Sequence, residues 1–468
     1  MTDSALAWQT LPAGKTTFGG HPRALRTLFF TEMWERFSYY GMRALLVLFM
    51  TAPVANGGLG FDIPTAAGIY GWYTFAVYLA ALPGGWLADN LLGQRKAVLI
   101  GGAVIAAGHV CLALHGLALF YGGLGLIVCG TGLLKPNISS MVGGLYAEGD
   151  TRRDAGFSIF YMGINLGAMI APLACGFLAQ DPAFLGWLTG HGFRAQDGWH
   201  FGFGCAAVGM TLGLVQYSAG LHNFGAVGRD PAPRAPASGP GSDAERTAGG
   251  SLFTRDEWLR LSAIAVLFFF SALFWSAFEQ AGSSLNLFAD QITDNVAFGR
   301  AFPSSWYQAI NSIFLIALAP VFAWLWVWLS KREPSSPAKF AWGLLFVGIG
   351  FLVVAAGALV AQQSGAKVGP SWLVVVYLFS TLGELCLSPV GLSTVTKLAP
   401  PRVASLMMGV WFTSLALGNK LGGWVAGHFD PKGSLSGLFL KVALVEIAAA
   451  LLLFALVKPI RKLMSGVN

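Results

Sequence analysis

Long apolar runs, separated by short segments that carry most of the basic residues, set the strongest constraint on this chain. About twelve of these runs are long enough to cross a bilayer as a helix, which needs roughly 20 residues. Hydrophobic residues make up 55% of the 468 residues, charged residues only 11%, and the mean hydropathy is +0.62. Soluble domains carry about 25% charged residues. The sequence therefore predicts an all-α polytopic membrane protein.

The predicted spans fall into two sets of six. The first set covers 25–52, 64–90, 96–115, 117–146, 154–180 and 199–222, and the second covers 257–289, 304–330, 338–362, 370–398, 403–428 and 434–458. Residues 223–256 are rich in Pro, Gly, Ser and Ala, a composition typical of a flexible linker. We therefore expect two six-helix bundles, the layout of a two-bundle transporter. The expected segments are a cytoplasmic N-terminal segment 1–24, a bundle 25–222, a cytoplasmic linker 223–256, a bundle 257–460 and a cytoplasmic tail 461–468.

The basic residues predict the orientation of the chain. If the N-terminus is cytoplasmic, about 20 of the 29 Lys and Arg residues fall on the inner side, as the positive-inside rule requires. The net charge of +7 therefore reflects these loops and does not indicate a nucleic-acid partner. Residues 1–22 lack the apolar core of a signal peptide, so the first span is expected to direct insertion. The five cysteines lie in apolar runs without metal-ligand spacing, and we expect no metal and no cofactor.

The first span carries four charged side chains and two tyrosines along one face at about 100° per residue. They are Glu32, Glu35, Arg36, Arg43, Tyr39 and Tyr40. An ionised side chain at membrane depth costs at least ~2.5–3.5 kcal/mol, so such groups must pair or line a water-filled cavity. The spacing permits carboxylate–arginine pairing within the helix. A soluble or interfacial amphipathic helix is disfavoured, because the opposite face and the following residues are apolar.

Three further spans carry isolated ionisable groups. Lys135 precedes Pro136, Glu384 lies shortly before Pro389, and both prolines predict a break in the helix. Glu279 lies one turn after an indole, Trp275. Cationic groups of the first half can pair with these carboxylates when one side of a transporter closes, or they can form static salt bridges. A pocket between them suits a zwitterion, with polar and aromatic side chains completing it: Asn165, Asn311, Tyr39, Tyr40, Tyr78, Trp275 and Trp411.

The segment from Gly85 to Lys96, after the second span, carries Asp89 and Arg95. It is either an ordinary charged turn or a cytoplasmic latch in which these two side chains fasten neighbouring helix ends by charge-assisted hydrogen bonds.

Several of these motifs resemble those of one family. The pattern Glu32-x-x-Glu35-Arg36-Phe37-x-Tyr39-Tyr40-Gly41 resembles the signature first helix of the proton-dependent oligopeptide transporter family. Residues 157–167 resemble its fifth-helix signature, and three short motifs also match: Lys135-Pro136-Asn137, Phe278-Glu279-Gln280 and Gly383-Glu384-Leu385. Residues 85–96 resemble the loop motif of the wider major facilitator superfamily.

The resemblance implies a major facilitator fold of twelve transmembrane helices in two bundles. Many bacterial members of the family carry two extra helices between the bundles, but the linker here has no apolar run for them, so we expect no extra helix pair. The resemblance implies proton-coupled symport of di- and tripeptides into the cell by alternating access, by a protein that works as a monomer in the lipid of the bacterial inner membrane. It assigns proton coupling to Glu32, Glu35 and Arg36, an extracellular gate to Arg43 with Glu279, and an intracellular gate to Lys135 with Glu384. The peptide carboxylate would be held by Arg36 and Lys135, its amino group by Glu384, Asn165 and Asn311, and its side chains by Tyr39, Tyr40, Tyr78, Trp275 and Trp411.

Two positions depart from the family pattern. The asparagine of the eighth span usually precedes proline, whereas Asn311 precedes Ser312. Animal members use a second-helix histidine in coupling, but residues 64–90 contain none, so a carboxylate must carry the proton.

The alternatives are a proton-coupled transporter of another small zwitterion or anion, a proton channel and an intramembrane enzyme. The enzyme is disfavoured because the spans contain no His-x-x-x-His motif and no Asp pair, so no catalytic residues are expected. A channel would not need two opposing bundles whose walls match a zwitterion.

Overall fold

The computed structural model describes residues 20–147, 150–231, 253–400 and 403–464. Most of the predicted linker, at 232–252, lies outside these ranges, as do most of the predicted N-terminal segment and the last four residues of the predicted tail.

The first half contains six long helical segments and one short helix. The long segments are α1 (Arg23–Thr51), α2 (Ile63–Leu79) together with α3 (Ala81–Leu87), α4 (Gln94–Ala113), α5 (Leu117–Gly144), α6 (Arg153–Gln180) and α8 (Gly198–Gly220). The short helix is α7 (Pro182–Gly190). The second span is interrupted at Ala80 and ends in a π-helical turn, Ala88–Leu92, so α2, α3 and this turn form one segment.

The second half repeats this pattern. Its helices are α9 (Arg255–Phe278), the short α10 (Ser284–Gln291), α11 (Gln308–Leu329), α12 (Ser336–Ser364), α13 (Ser371–Leu398), α14 (Ala404–Ala426) and α15 (Leu435–Leu463). A 3₁₀ turn, Glu279–Gly282, joins α9 to α10. A two-stranded antiparallel hairpin, β1 (Val296–Ala297) and β2 (Arg300–Ala301), lies in the connection to α11.

Ten helical segments of the described ranges are long and apolar enough to cross a membrane. The two other long helices are α1, which carries the charged face, and α14, with 29 and 23 residues. Together they give the twelve helices that the sequence predicts. Helix α1 packs against α6 and α8, and α4 against α5 and α8, while α12 packs against α13 and α15, and α9 against α14 and α15. The halves meet where α2 contacts α14 and where α6 contacts α11.

Local sequence signals explain where several helices begin. Asp62 caps α2 by accepting the Thr65 backbone N–H at 2.9 Å, and hydrogen bonds from Thr65 lower the pKa of the Asp62 carboxyl. Thr254 and Glu257 form a reciprocal capping box at the start of α9. These caps satisfy backbone N–H groups that a first helical turn leaves without partners.

The helices do not break at the two intramembrane prolines, contrary to the prediction. Pro136 lies inside a continuous α5 and Pro389 inside a continuous α13. Pro136 leaves the Gly132 carbonyl without its helical N–H donor, and one residue on Asn137 Nδ2 donates an additional hydrogen bond to the neighbouring Leu133 carbonyl at 2.7 Å. Transmembrane helices tolerate proline when side chains or neighbouring helices supply such partners.

Candidate functional site

The charged face of α1 forms a buried ion cluster. Arg36 Nε lies 3.2 Å from Glu32 Oε1 and also pairs with Glu35 Oε2. The exposed fractions of Glu32, Glu35 and Arg36 are only 2%, 0% and 4%. One atom on each side chain has no hydrogen-bond partner in the described residues: Glu32 Oε2, Glu35 Oε1 and Arg36 Nη2. The cluster can therefore still accept a proton on a carboxylate and donate a hydrogen bond from the guanidinium to an anion.

Glycines on the neighbouring helix α6 explain how this cluster is buried. A Cβ at Gly167 of α6 would lie 2.2 Å from the Met33 carbonyl oxygen of α1, and one at Gly163 would lie 2.9 Å from the Phe29 carbonyl oxygen. Only glycine lets the two backbones approach so closely. The charges therefore lie in a tightly packed environment of low polarisability, where electrostatic interactions are strong.

A second ion pair joins the two halves of the molecule. Arg43 Nη2 lies 2.5 Å from Glu279 Oε2, and Arg43 Nε donates a hydrogen bond to the Tyr70 hydroxyl at 2.6 Å. Arg43 and Glu279 are each 5% exposed. A buried charge-assisted pair of this kind is costly to break by removing one partner. The Arg43–Glu279 pair lies towards the end of the bundles at which α1 ends and α2 begins. We call this the closed end.

Further hydrogen bonds between the halves surround this pair at the closed end. Asn286 Nδ2 donates to the Ala44 carbonyl at 2.8 Å, and Trp306 Nε1 donates to the Leu173 carbonyl at 3.1 Å. Gln180 donates to the Ser304 hydroxyl at 3.2 Å. The sequence analysis missed these contacts, because a backbone carbonyl as partner leaves no motif in the sequence.

Lys135 and Glu384, the other proposed gate pair, are apart. Each has its own partners, since Lys135 Nζ lies 4.2 Å from the centroid of the Tyr78 ring and Glu384 Oε2 accepts a hydrogen bond from Asn311 Nδ2 at 3.1 Å. No ion pair links the two within the described ranges. Both side chains are partly exposed, in contrast to the ion cluster of α1. They are therefore free to meet a ligand or each other.

The predicted aromatic residues divide into exposed and buried groups. Tyr40 and Tyr78 are partly exposed and lie near Arg43 and Lys135, respectively. The other three are buried: Tyr39 packs edge-on to Tyr40, Trp275 packs against Phe274 and Phe278, and Trp411 packs against Phe340.

The predicted amides also differ in what they bind. Asn311 contacts Glu384 and Thr381, whereas Asn165 donates to the Tyr161 carbonyl of its own helix at 2.9 Å. The structure thus brings Lys135, Tyr78, Asn311 and Glu384 into partly exposed positions. Tyr40 also has such a position, whereas four of the predicted pocket residues are buried: Tyr39, Asn165, Trp275 and Trp411.

Of the two side chains proposed to fasten neighbouring helix ends, Arg95 makes such contacts in the described residues and Asp89 does not. Arg95 Nε and Nη2 donate to the carbonyls of Val227 and Gly225 at 2.6 and 2.5 Å, which fastens the start of α4 to the segment after α8. Asp89 is exposed on the π-helical turn, and within the described ranges it has no hydrogen-bond or ion-pair partner. Arg95 thus acts as a charged donor to backbone carbonyls, as the latch interpretation proposes, while Asp89 lies on an exposed turn.

Comparisons with known proteins agree with this architecture. Residues 95–236 and 254–434 match the sequence profile of the POT family. The chain is 41% identical to the peptide transporter YePEPT of Yersinia enterocolitica, across 97% of each protein. It is 35% identical to a di-/tripeptide transporter of Lactococcus lactis, across 98% of this chain and 100% of that protein.

Solved structures give the same result. A variant of a POT peptide transporter in complex with alafosfalin matches with a TM-score of 0.86 and 41% identity, covering 96% of this chain and 97% of that one. A POT family transporter in complex with 5-aminolevulinic acid matches with a TM-score of 0.83 and 33% identity, covering 95% and 98%. These matches confirm the predicted all-α major facilitator fold. The chain therefore belongs to the POT family of integral membrane transporters and is not an enzyme.

Proposed function

We propose that the protein is a symporter that couples inward proton movement to the uptake of di- and tripeptides, which bind between the two bundles. It works as a monomer in the bacterial inner membrane, with both termini in the cytoplasm. One observation carries the proposal: Arg43 and Glu279 are joined across the halves while Lys135 and Glu384 are apart.

Alternation of the two pairs gives a mechanism for alternating access. With cytoplasmic termini the closed end faces outwards, so the Arg43–Glu279 pair is the extracellular gate and this conformation faces the cytoplasm. Lys135 and Glu384 pair when the transporter faces outwards. Each pair forms only on the side that is closed, so that one set of buried charges is satisfied in each state.

The peptide termini match the charges that remain free. Arg36 Nη2 and Lys135 Nζ, which have no carboxylate partner at those atoms in the described residues, hold the peptide carboxylate. Glu384 holds the amino group together with Asn311 and Asn165. The peptide side chains contact the proposed pocket aromatics, which are Tyr39, Tyr40, Tyr78, Trp275 and Trp411.

Charge balance links peptide binding to the proton. Two carboxylates share one guanidinium in the α1 cluster, so Glu32 and Glu35 together exceed the charge of Arg36. When Arg36 engages the peptide carboxylate, one of these glutamates loses its counter-charge. Because an unpaired charge at this depth is costly, that glutamate binds a proton from outside and releases it when the peptide leaves.

A second candidate is the transport of another small zwitterion or anion. A 33% identical family member has been solved in complex with 5-aminolevulinic acid, and the separated cationic and carboxylate groups of this site fit any compact molecule with both termini charged. The two candidate substrate classes differ in what lies between the charged ends of the molecule. Only a di- or tripeptide has peptide bonds there.

Uptake into proteoliposomes tests both candidates. Labelled dialanine is expected to accumulate when the lumen is more alkaline than the bath, and to equilibrate without accumulation when a protonophore removes the gradient. Unlabelled dialanine should compete, whereas 5-aminolevulinic acid should compete weakly. Gradient-driven accumulation of 5-aminolevulinic acid without dialanine uptake would select the second candidate. Lumen acidification without any substrate would identify a proton channel.

A further inference from the structure

Lys420 is a charged side chain at membrane depth that the transport mechanism does not use. It lies on α14 six residues before Ala426, the end of the helix, which corresponds to about 9 Å along the axis. Half of the hydrocarbon layer is about 15 Å thick, so this position lies within it if the helix end marks its border. Trp424, one turn nearer the helix end and 65% exposed, is placed as interfacial indoles usually are.

The Lys420 ammonium has no carboxylate partner in the described residues. Its Nζ lies 3.7 Å from the centroid of the Trp72 ring of α2, and Trp72 is 59% exposed. A cation–π contact at an exposed site stabilises a lysine by about 0.5–1 kcal/mol, less than the ~2.5 kcal/mol or more that burial in hydrocarbon costs. The arrangement therefore leaves room for an anion from the surroundings.

Two apolar trenches meet at Trp72. One, of about 490 Å³, lies between α2 and α5 and is lined by Pro64, Ile69, Trp72, Tyr121, Leu124 and Val128. The other, of about 400 Å³, continues along α2 and α3 from Trp72 to Pro83. From Trp72 the second trench extends 11 residues along α2 and α3 to Pro83, about 16 Å of helix, which matches the roughly 15 Å of hydrocarbon in one leaflet.

We propose that the seam between α2 and α14 binds a phospholipid with an anionic headgroup. Its phosphate pairs with Lys420 above the Trp72 ring, and its acyl chain lies in the trench along α2. Charge complementarity identifies the ligand, because in a bilayer the anions next to the hydrocarbon layer are the phosphates of lipid headgroups. The two backbones are close here, since a Cβ at Gly71 would lie 3.2 Å from the Gly423 Cα, so the site joins the two bundles.

Native mass spectrometry of the purified protein with added phosphatidylglycerol or phosphatidylcholine tests the proposal without measuring transport. The wild type should retain phosphatidylglycerol in preference to phosphatidylcholine. Lys420→Gln should weaken phosphatidylglycerol binding about fivefold, which is the effect of one lysine charge. Lys420→Arg should bind as the wild type does. Lys441→Gln is a matched control, because Lys441 is exposed on α15 and lies six residues after Leu435, where that helix begins.

Equal phosphatidylglycerol binding by the wild type and Lys420→Gln would overturn the proposal, as would equal losses in Lys420→Gln and Lys441→Gln. A dimer that forms through this seam in place of lipid would overturn it too. Gel filtration of each variant checks that it is folded. Trp72→Leu removes the aromatic ring but keeps an apolar side chain, and it should also weaken phosphatidylglycerol binding. Failure here leaves the proposed symport untouched, because the measurement involves neither peptide nor proton.

Discussion

Arg36 lies between two carboxylates and keeps one guanidinium nitrogen without a hydrogen-bond partner in the described residues. A fully satisfied salt bridge would hold its partners in one arrangement. In this cluster Arg36 has one donor nitrogen, and each carboxylate has one acceptor oxygen, without a hydrogen-bond partner in the described residues. The three side chains can therefore exchange partners without a change in helix packing. That property is what a group carrying a proton through a transport cycle requires.

Replacing either carboxylate of the cluster tests its proposed role. Glu32→Gln and Glu35→Gln are expected to abolish accumulation of dialanine against a gradient, because an amide cannot carry a proton at physiological pH. Counterflow exchange, which needs no net proton movement, should remain close to that of the wild type. The measurement is labelled dialanine uptake by proteoliposomes with an imposed pH gradient, compared with counterflow in the same preparation.

Glu446→Gln is a control for the burial of a carboxylate. Glu446 of α15 is 1% exposed, and its Oε2 also has no hydrogen-bond partner in the described residues, yet the proposed mechanism does not include it. Its amide variant should accumulate dialanine normally. Concentrative uptake by both α1 variants would refute the assignment of the proton to this cluster.

At the residue scale the sequence predicted those contacts that follow from helical spacing. Glu32 and Arg36 are four residues apart, so their pairing could be expected. Arg43 and Glu279 are 236 residues apart, and only the family resemblance connected them. The bond from Arg43 to the Tyr70 hydroxyl could not be predicted, since tyrosines are frequent in such spans and nothing marks this one.

At the element scale the contact between α1 and α6 depends on glycine, whose side chain is a single hydrogen atom. A methyl group at Gly167 would lie 2.2 Å from the Met33 carbonyl oxygen and 3.1 Å from the Arg36 Cβ. Gly167→Ala should therefore push α6 away from α1, at a cost of about 1–3 kcal/mol typical of overpacking. We expect a lower unfolding temperature in detergent, measured by thermal unfolding, and reduced dialanine uptake.

Gly125→Ala gives the matched control for this change. Gly125 lies inside α5, and a Cβ there would meet no atom within 4 Å. This variant should unfold at or above the wild-type temperature, because alanine favours helix over glycine. If both alanine variants behave alike, close packing at Gly167 does not determine the position of α6.

The intramembrane prolines show what sequence cannot resolve at this scale. Pro136 predicts a break when judged by its own lost N–H and steric clash. Whether a helix continues past a proline depends on the groups packed around it, and the sequence does not show how those groups are arranged. The sequence thus located the helices well, but it did not determine their internal continuity.

At the scale of the whole molecule the hydrogen bonds at the closed end are expected to set the balance between conformations. Asn286→Ala removes one bond between the halves and should shift this balance towards opening of that end by roughly 2- to 10-fold, the effect of one net hydrogen bond. Spin labels on Val54→Cys and Val296→Cys, in a background without the five native cysteines, report the distance between the halves. The distance distribution should extend to longer values in Asn286→Ala.

Asn295→Ala is the control for this experiment. The Asn295 amide donates to the Ala289 carbonyl at 2.9 Å within the same half, whereas the Asn286 amide reaches the other half. Its removal should leave the distance distribution unchanged. The same broadening in both variants would mean that local loosening, and not a lost bond between the halves, controls the closed end.

The conformation of the molecule could not be predicted from the sequence. Twelve spans in two sets follow from hydropathy, because each span must satisfy its own backbone in lipid. Lys135 and Glu384 are present in every conformation, so their sequence positions are compatible with a paired and an unpaired arrangement alike. The structure selects one of these arrangements, in which Arg43 and Glu279 hold the halves together at the closed end.

Exchanging the charges of the separated pair tests whether it closes the opposite end. Lys135→Glu or Glu384→Lys alone places two like charges where the gate should form, so that end should stay open. The double exchange restores opposite charges and should close it more often than either single change, although transport need not return because both residues are also assigned to the peptide termini. The measurement is labelling of Tyr161→Cys, at a position whose tyrosine is 44% exposed, from the cytoplasmic side without peptide. If the exchanged pair labels as fast as the single variants, the two residues serve binding alone.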